Sequence, residues 1–192
     1  MASLWQQILA TSALEWFGTV TGLAGVALSI RQHRAAWPLF IACYAAYAWL
    51  STGAELYAAA GMNAVFVGLS LQGWRSWNNE DTGAPSRSTA AGRLAALGVW
   101  LASSAAVAGI LHAAGGSTSP LLDASATSAG FVAQWLLTRK RIETWAFWLL
   151  SDVAFMVLYG RAGYGLTVGL FGVFTALALH GAYTWRKALE PT

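Results

Sequence analysis

The chain has 192 residues, of which 57% are hydrophobic and only 10% are charged, whereas soluble domains carry about 25% charged residues. So few charges cannot cover a globular surface in water, which argues against a soluble enzyme, a nucleic-acid-binding protein and a disordered chain. The net charge of +3 fits a membrane protein that concentrates lysine and arginine on one side. The composition predicts an integral membrane protein, with the lipid bilayer as its first partner.

Seven segments are apolar and long enough to cross a bilayer, which takes about 17–25 residues per helix. The predicted spans are residues 14–30, 37–51, 56–74, 94–113, 121–138, 145–159 and 165–185. The residues before the first span include no lysine or arginine, so a cleaved signal peptide is not expected.

Basic residues fall on one side of the predicted membrane. Ten of the eleven lysines and arginines lie after spans 1, 3, 5 and 7, and only Arg161 lies on the other side. Because basic loops stay in the cytoplasm, we expect the N-terminus outside and the C-terminus inside. The polar segment of residues 78–92 is then a cytoplasmic loop, and we expect it to be the most mobile part of the chain.

The chain contains an internal repeat. A shift of 108 residues aligns residues 14–77 with 122–185 without a gap and matches 16 of the 64 pairs. Chance can match Ala and Leu in so apolar a chain, but not Trp, Gly and Arg at span boundaries, as in Trp37 with Trp145. Each repeat holds three spans, and a loop and a linker helix fill residues 78–121. The repeats are parallel because an even number of crossings separates them, and transporters commonly bind substrate between such repeats.

The acidic residues separate into two groups. Seven lie in loops or near span ends, where Glu15 and Asp123 occupy matching repeat positions and can stabilise helix N-termini. Asp152 lies near the middle of its span, where a charge is costly and marks a functional site by default. Trp145 and Trp148 share a helical face with it, and ring faces attract cations. The stripe predicts a site for a flat cationic ligand; an interfacial Trp belt with a paired Asp is the alternative.

Other polar side chains also lie inside spans. Gln134 in span 5 and Asn63 in span 3 either contact a ligand or join helices by hydrogen bonds. Gln72 and His180 occupy matching repeat positions, where they form a gate or a packing contact. Tyr159 is a further candidate for a gate or for a second layer around the site.

The spans show no pattern of enzyme chemistry. They hold no nucleophile–base pair and no cluster with metal-ligand spacing, and the single Cys43 cannot form an internal disulfide. A retinal protein needs a lysine in its last span, whereas Lys140 and Lys187 lie in the predicted cytoplasmic segments. We therefore expect neither an enzyme nor a cofactor or metal site.

Four segments together resemble the PnuC family of bacterial vitamin transporters. The segment TRKRIETWAFWLLSD (138–152) is similar to the family's second-repeat motif, a basic loop followed by Trp-x-x-Trp and then Asn or Asp. LEWFGTVTGLAG, AAWPLFIACYAAYAW and LQGWRSW are similar to the first-repeat counterparts, in the right order and spacing. The resemblance extends over residues 14–185.

The resemblance implies an all-α membrane fold of seven helices in a 3+1+3 arrangement, in which a linker helix joins two parallel three-helix repeats as in duplicated SWEET-type bundles. It implies an inner-membrane carrier of nicotinamide riboside, thiamine or riboflavin that works by facilitated diffusion. A cytoplasmic kinase then acts only by trapping the imported vitamin. The binding candidates that the resemblance implies are Trp145, Trp148, Asp152, Gln134, Asn63, Trp37, Tyr44 and Tyr47.

Some family positions differ in this chain. Phe40 and Cys43 stand where nicotinamide riboside carriers tend to have Gly and Asn, and Ala59 and Asn63 stand for Asp and Gln. The expected function is import of nicotinamide riboside by alternating access, with thiamine or another cationic aromatic vitamin as the alternative. A membrane receptor or assembly subunit is a third hypothesis. A homo-oligomer is compatible with the sequence, and no nucleic-acid partner is expected.

Overall fold

The computed structural model describes residues 6, 8, 9, 11–77, 83–114 and 119–190. In this part of the chain, seven long helices form the fold and one isolated bridge joins Ser86 to Arg141. The expected all-α class is confirmed. The helices are α1 (Ala13–Ile30), α2 (Ala36–Gly53), α3 (Tyr57–Trp77), α4 (Ala90–Ala114), α5 (Pro120–Thr138), α6 (Thr144–Ala162) and α7 (Gly165–Lys187).

Each helix contains one predicted span, but α2 and α6 extend beyond the predicted residues 37–51 and 145–159. Their ends carry Thr, Gly and Arg, which lower hydropathy without ending the helix. Of the described helices, α1, α4 and α7 are long and apolar enough by themselves to cross a membrane. The other four are 18 to 21 residues long, and they contribute buried polar residues such as Ser70, Gln134 and Asp152.

The helices on either side of α4 repeat one geometry. A shift of 108 residues takes the bounds of α1, α2 and α3 to within two residues of those of α5, α6 and α7. The turns agree as well: φ is 56° at Gln32 and 50° at Lys140, and it is 60° at Glu55 and 81° at Gly163. The division into two repeats around a linker helix stays a prediction, and these bounds agree with it.

The start of α1 shows how local sequence sets a helix boundary. The hydroxyl of Ser12 accepts a hydrogen bond from the backbone N–H of Glu15, and the Glu15 carboxylate accepts one from the N–H of Ser12 at 2.6 Å. This capping box satisfies two N–H groups that have no partner inside the helix. The predicted role of Glu15 at the helix N-terminus is confirmed.

The helices pack as two bundles with a linker. Helices α1 to α3 form the first bundle, α5 to α7 form the second, and α4 packs on α5. The bundles meet along two seams, one between α3 and α5 and the other between α1 and α7. We call the end where these four helices finish the basic end, because the loops beside it carry lysines and arginines.

Four tryptophans, which we call the tryptophan quartet, fill the basic end between the bundles. Trp37 meets Trp77 edge-on with 5.1 Å between ring centroids, and Trp145 meets Trp185 in the same way at 5.3 Å. The indole N–H of Trp77 donates to two carbonyl oxygens at the end of α5, at 3.2 Å each. That of Trp185 donates to one at the end of α1, at 3.0 Å. Each bundle is therefore bonded to the first helix of the other.

The described part of the predicted mobile loop is held against the second bundle. Ser86 pairs through its backbone with the loop between α5 and α6, and Glu143 accepts hydrogen bonds from Ser88 and pairs with Arg93 at 3.0 Å. Burial raises the pKa of Glu143, but these hydrogen bonds outweigh it, so the pKa lies below its ordinary value. Residues 78–82 lie outside the described residues, and the expected mobility of the loop stays a prediction.

Candidate functional site

A cavity of about 750 Å³ lies between the two bundles, and all seven helices contribute to its walls. Its mouth is lined by the exposed residues Glu55 and Leu56 of the turn between α2 and α3 and by Tyr57 at the start of α3. At the basic end its lining residues Phe40, Trp145 and Ala178 are at most 2% exposed. The cavity therefore opens at the end opposite the basic end and has a closed floor at the tryptophan quartet.

Asp152 lies on the cavity wall and is only 4% exposed. Trp148 precedes it by one helical turn on the same face of α6 and also lines the cavity. Among the described residues, none donates a hydrogen bond to the Asp152 carboxylate or forms an ion pair with it. Because a buried carboxylate is costly to ionise without a positive partner, this wall is suited to a ligand that brings a positive charge.

Trp145 completes the predicted stripe, but it belongs to the floor. Its ring is 1% exposed and packs on Trp185, so it is not part of a lipid-facing Trp belt. Its indole N–H has no acceptor among the described residues, and the same is true of Trp37. A buried donor without a partner costs about 1–3 kcal/mol. The closed floor therefore holds two indole N–H groups without an acceptor among the described residues.

The three predicted tyrosines all line the cavity. Tyr44 stacks on Phe66 with 4.6 Å between ring centroids and 14° between planes. The hydroxyl groups of Tyr47 and Thr19 share a hydrogen bond of 2.9 Å, and Tyr159 stacks on Phe171 at 5.7 Å and 14°. One aromatic wall therefore comes from the first bundle and the other from the second.

Trp37, another predicted binding residue, also belongs to the floor. It is fully buried against Trp77 and Phe40 and does not line the cavity. A β-carbon at Gly73 would come closer than 3 Å to its ring, so this glycine is what allows the ring to pack. A direct ligand contact of Trp37 stays a prediction that requires the floor to open.

Asn63 and Gln134 have different surroundings. Asn63 lines the cavity, and its amide nitrogen donates to the carbonyl oxygen of Ala59 at 3.0 Å. Gln134 is fully buried outside the cavity, where its amide nitrogen donates to the hydroxyl of Ser70 at 3.1 Å and so joins α5 to α3. Its amide oxygen has no partner among the described residues. Ligand contact by Gln134 stays a prediction, and it requires a conformation in which the side chain reaches the cavity.

Gln72 and His180 lie outside the cavity. Both side chains are exposed, and His180 lines a second, smaller cleft between α1 and α7. The structure therefore separates this pair from Trp148 and Asp152, and a role for the pair as a gate stays a prediction.

Several cavity residues were not among the predicted ones. Phe155 follows Asp152 by three positions on the same face of α6, and Phe171 and Phe174 line the cavity from α7. Phe66 lines it from α3 at the repeat position that matches Phe174. The matched phenylalanines were visible in the sequence alignment of the repeats, but an aromatic residue in an apolar span has no feature that separates a cavity wall from a lipid-facing surface.

Residues 12–187 match the model of a protein family described as Nicotinamide mononucleotide transporter. The chain belongs to this family. The riboflavin/roseoflavin transporter RibM of Streptomyces davaonensis is similar to it, with 28% identity over 179 residues that cover 88% of this chain and 82% of RibM. The crystal structure of the vitamin B3 transporter PnuC has the same fold, with a TM-score of 0.75 and 20% identity over 92% of this chain and 81% of that one.

These findings confirm the resemblance to the PnuC family and the seven-helix fold. As a member of the nicotinamide mononucleotide transporter family, the chain is a multi-pass membrane transporter for a small vitamin and not an enzyme. Among the described residues, no three His, Cys, Asp or Glu side chains are grouped as metal ligands would be.

Proposed function

We propose that this transporter imports a cationic aromatic vitamin, nicotinamide riboside in the first place. The observation that carries the proposal is the Asp152 carboxylate, which is buried on an aromatic cavity wall without a cationic partner among the described residues. The pyridinium ring of nicotinamide riboside is flat and positively charged, so it satisfies the carboxylate and the aromatic faces at once. Charges attract more strongly in such a site than in water.

Each wall of the cavity then has a role. Asp152 neutralises the positive ring, and Trp148 stacks on it from the same helix. Tyr44, which stacks on Phe66, provides a second aromatic face from the first bundle. The amide oxygen of Asn63 accepts a hydrogen bond from a polar substituent, since only its amide nitrogen is bonded to the helix. Trp145 contacts the substrate from the floor.

Two other vitamins are compatible with parts of this arrangement. Thiamine is also an aromatic cation and would use Asp152 in the same way. Riboflavin is favoured by the similarity to RibM, which is named as a riboflavin transporter, and the cavity of about 750 Å³ gives room for a larger ring system. Riboflavin is neutral, so its binding does not need the Asp152 charge, and this difference separates the candidates.

Transport proceeds by alternating access between the two bundles. With the basic end in the bacterial cytoplasm, the cavity mouth faces outward, ready to receive the vitamin. Inward release requires the tryptophan quartet to separate and the bonds from Trp77 and Trp185 to the opposite bundle to break. Facilitated diffusion only equilibrates the substrate, so a cytoplasmic kinase maintains uptake by phosphorylating it, without contact with the carrier.

Uptake into proteoliposomes tests the function. We expect saturable uptake of labelled nicotinamide riboside that is unaffected by proton and sodium ionophores. Absence of saturable flux for nicotinamide riboside, thiamine and riboflavin alike would contradict the transporter mechanism proposed here. If riboflavin shows faster saturable flux than nicotinamide riboside, the substrate is a flavin and not a cationic vitamin.

The Asp152→Asn variant tests the role of the carboxylate. Loss of a buried partner charge costs at least about 2 kcal/mol, so nicotinamide riboside should bind about 30-fold more weakly, as measured by titration of the purified protein. Riboflavin affinity should change by less than about threefold. Tyr44→Phe is the matched control, because Tyr44 occupies the repeat position of Asp152 and the change keeps its ring. If the wild type and Asp152→Asn bind nicotinamide riboside with equal affinity, Asp152 is not part of the site.

A further inference from the structure

A cleft of about 260 Å³ lies between α1 and α7 at the basic end, separate from the substrate cavity. We propose that this cleft binds the headgroup of an anionic phospholipid. Clefts with basic residues between membrane helices are suited to such headgroups. The cleft combines apolar and polar lining residues, namely Ala27, Ile30, Arg31, Leu177, His180 and Thr184.

On α1, the residues beside the cleft change from apolar to charged along the helix, as a phospholipid changes from acyl chain to phosphate headgroup. Val20 and Ala27 lie on one face of α1, and Arg31 continues this stripe one position beyond the last helical residue, Ile30. Val20 is 58% exposed and Arg31 is exposed. The stripe therefore runs from an apolar surface for an acyl chain to a charge for a phosphate.

Helix α7 has a parallel stripe. Val173, Leu177, His180 and Thr184 are spaced four, three and four residues apart on one face. Val173 is 50% exposed, and the last two residues bring a ring nitrogen and a hydroxyl to the cleft. Both walls thus change from apolar to hydrogen-bonding at the same level.

Charge around the cleft favours a phosphate over a second copy of the chain. Within residues 27–35 and 177–187, the charged side chains are Arg31, Arg34, Arg186 and Lys187, and none is acidic. A symmetric dimer places the same patch on both subunits, which would bring these like charges together. An anionic lipid neutralises them instead.

Two cleft residues of α1 have larger or differently packed counterparts on α5. The repeat positions of Ala27 and Arg31 are taken by Trp135 and Arg139 on α5. Trp135 packs on the cluster that joins α5 to Ala96 of α4, and the guanidinium of Arg139 lies 4.3 Å from the centroid of its ring. On α1 the matching position carries only the methyl group of Ala27, so no ring from this position of α1 fills the cleft.

Lipid retention by the purified full-length protein tests the proposal. After exchange into detergent with equal amounts of phosphatidylglycerol and phosphatidylcholine, native mass spectrometry should show retained phosphatidylglycerol. Arg31→Gln should reduce it about fivefold, the usual effect of one arginine near an anionic lipid surface. Ala27→Trp, which copies the matching residue of α5 and puts an indole into the cleft, should remove it. Arg139→Gln is the matched control and should retain as much as the wild type.

Three results would overturn the proposal. Retention that is equal in the wild type and in Arg31→Gln and Ala27→Trp would place the lipid elsewhere. A change from dimer to monomer in these variants, without a change in lipid, would make a second copy the occupant. Displacement of phosphatidylglycerol by soluble glycerol phosphate at equal concentration would show a free-phosphate site. Vitamin uptake by the variants at the wild-type rate verifies that they fold. The lipid measurement does not depend on the proposed substrate, so it remains valid even where the wild type takes up none of the vitamins.

Discussion

Helices α2 and α6 hold matching places in the two bundles, and both line the cavity. Three matching positions on the cavity wall differ between them: Phe40, Cys43 and Tyr44 on α2 correspond to Trp148, Ser151 and Asp152 on α6. The backbone is repeated, whereas the charge is present on one wall only. At these matched positions the proposed cationic ligand meets a carboxylate on α6 and an aromatic ring on α2, which favours one orientation of the ligand over its reverse.

The first helices of the bundles differ in burial. Six residues of α1 are buried and twelve of α5, because α4 covers α5 and no described helix covers α1 in the same way. The second bundle therefore has the more enclosed helix, next to the helix that carries Asp152. The first bundle presents more of its surface to lipid.

The largest effect is expected where a glycine of each bundle packs against a tryptophan ring, at Gly73 and Gly181. A β-carbon at either would come closer than 3 Å to Trp37 or Trp145, so Gly73→Ala and Gly181→Ala should each lower the free energy of unfolding by about 1–3 kcal/mol. Thermal unfolding in detergent measures this. Gly68→Ala on α3 is the control, because no atom lies within 4 Å of its β-carbon position. Tolerance of one variant alone would mean that the two halves pack differently.

A smaller effect is expected at the matched turns. Glu55 and Gly163 both have left-handed backbone, with φ of 60° and 81°, and this conformation costs a residue with a side chain about 1 kcal/mol more than glycine. Glu55→Gly should therefore raise the free energy of unfolding by about 1 kcal/mol, and Gly163→Ala should lower it. The same thermal measurement applies. A destabilised Glu55→Gly would show that the glutamate makes contacts that outweigh its backbone.

The smallest effect is expected at the held loop, which has no counterpart in the first bundle because Ala35 takes the position of Glu143. Glu143→Gln should speed hydrogen exchange in residues 84–90 several-fold at pH 7, with Glu190→Gln as control. Since the folded pKa of Glu143 lies below its ordinary value of 4.5, its stabilisation is complete above that value and is lost as pH falls through the folded pKa. If protection of residues 84–90 from hydrogen exchange is unchanged in acid, the backbone hydrogen bonds alone hold the loop.

Much of the fold followed from periodic information in the sequence. Spans of apolar residues gave the helices, and matched residues such as Trp37 and Trp145 gave the 108-residue shift that the helix bounds repeat. Asp152 and Trp148 could be assigned to one wall because their spacing lies within a single helix. All of these features depend on residues that are close in the chain or related by the constant offset of 108 residues.

The remaining features depend on contacts between distant segments. Gln134 has the polarity of a ligand residue, but Ser70, 64 positions away, occupies its amide. Gln72 and His180 have the symmetry expected of a gate, yet their helices turn them to the outside. Hydropathy and spacing carry no information on which face of a helix meets its neighbours in a protein that is apolar inside and outside.

The exchange of indole bonds at the basic end has an evolutionary consequence. Trp77 bonds to the end of α5 and Trp185 to the end of α1, so each half carries both the donor and the acceptor surface. Two identical three-helix chains can make these bonds with each other about a twofold axis, with both chains inserted in the same direction. Fusing their genes creates a need for one more crossing, which α4 supplies. The predicted duplication would therefore start from a homodimer of half this length that already makes both bonds, and fusion would leave its two walls free to diverge.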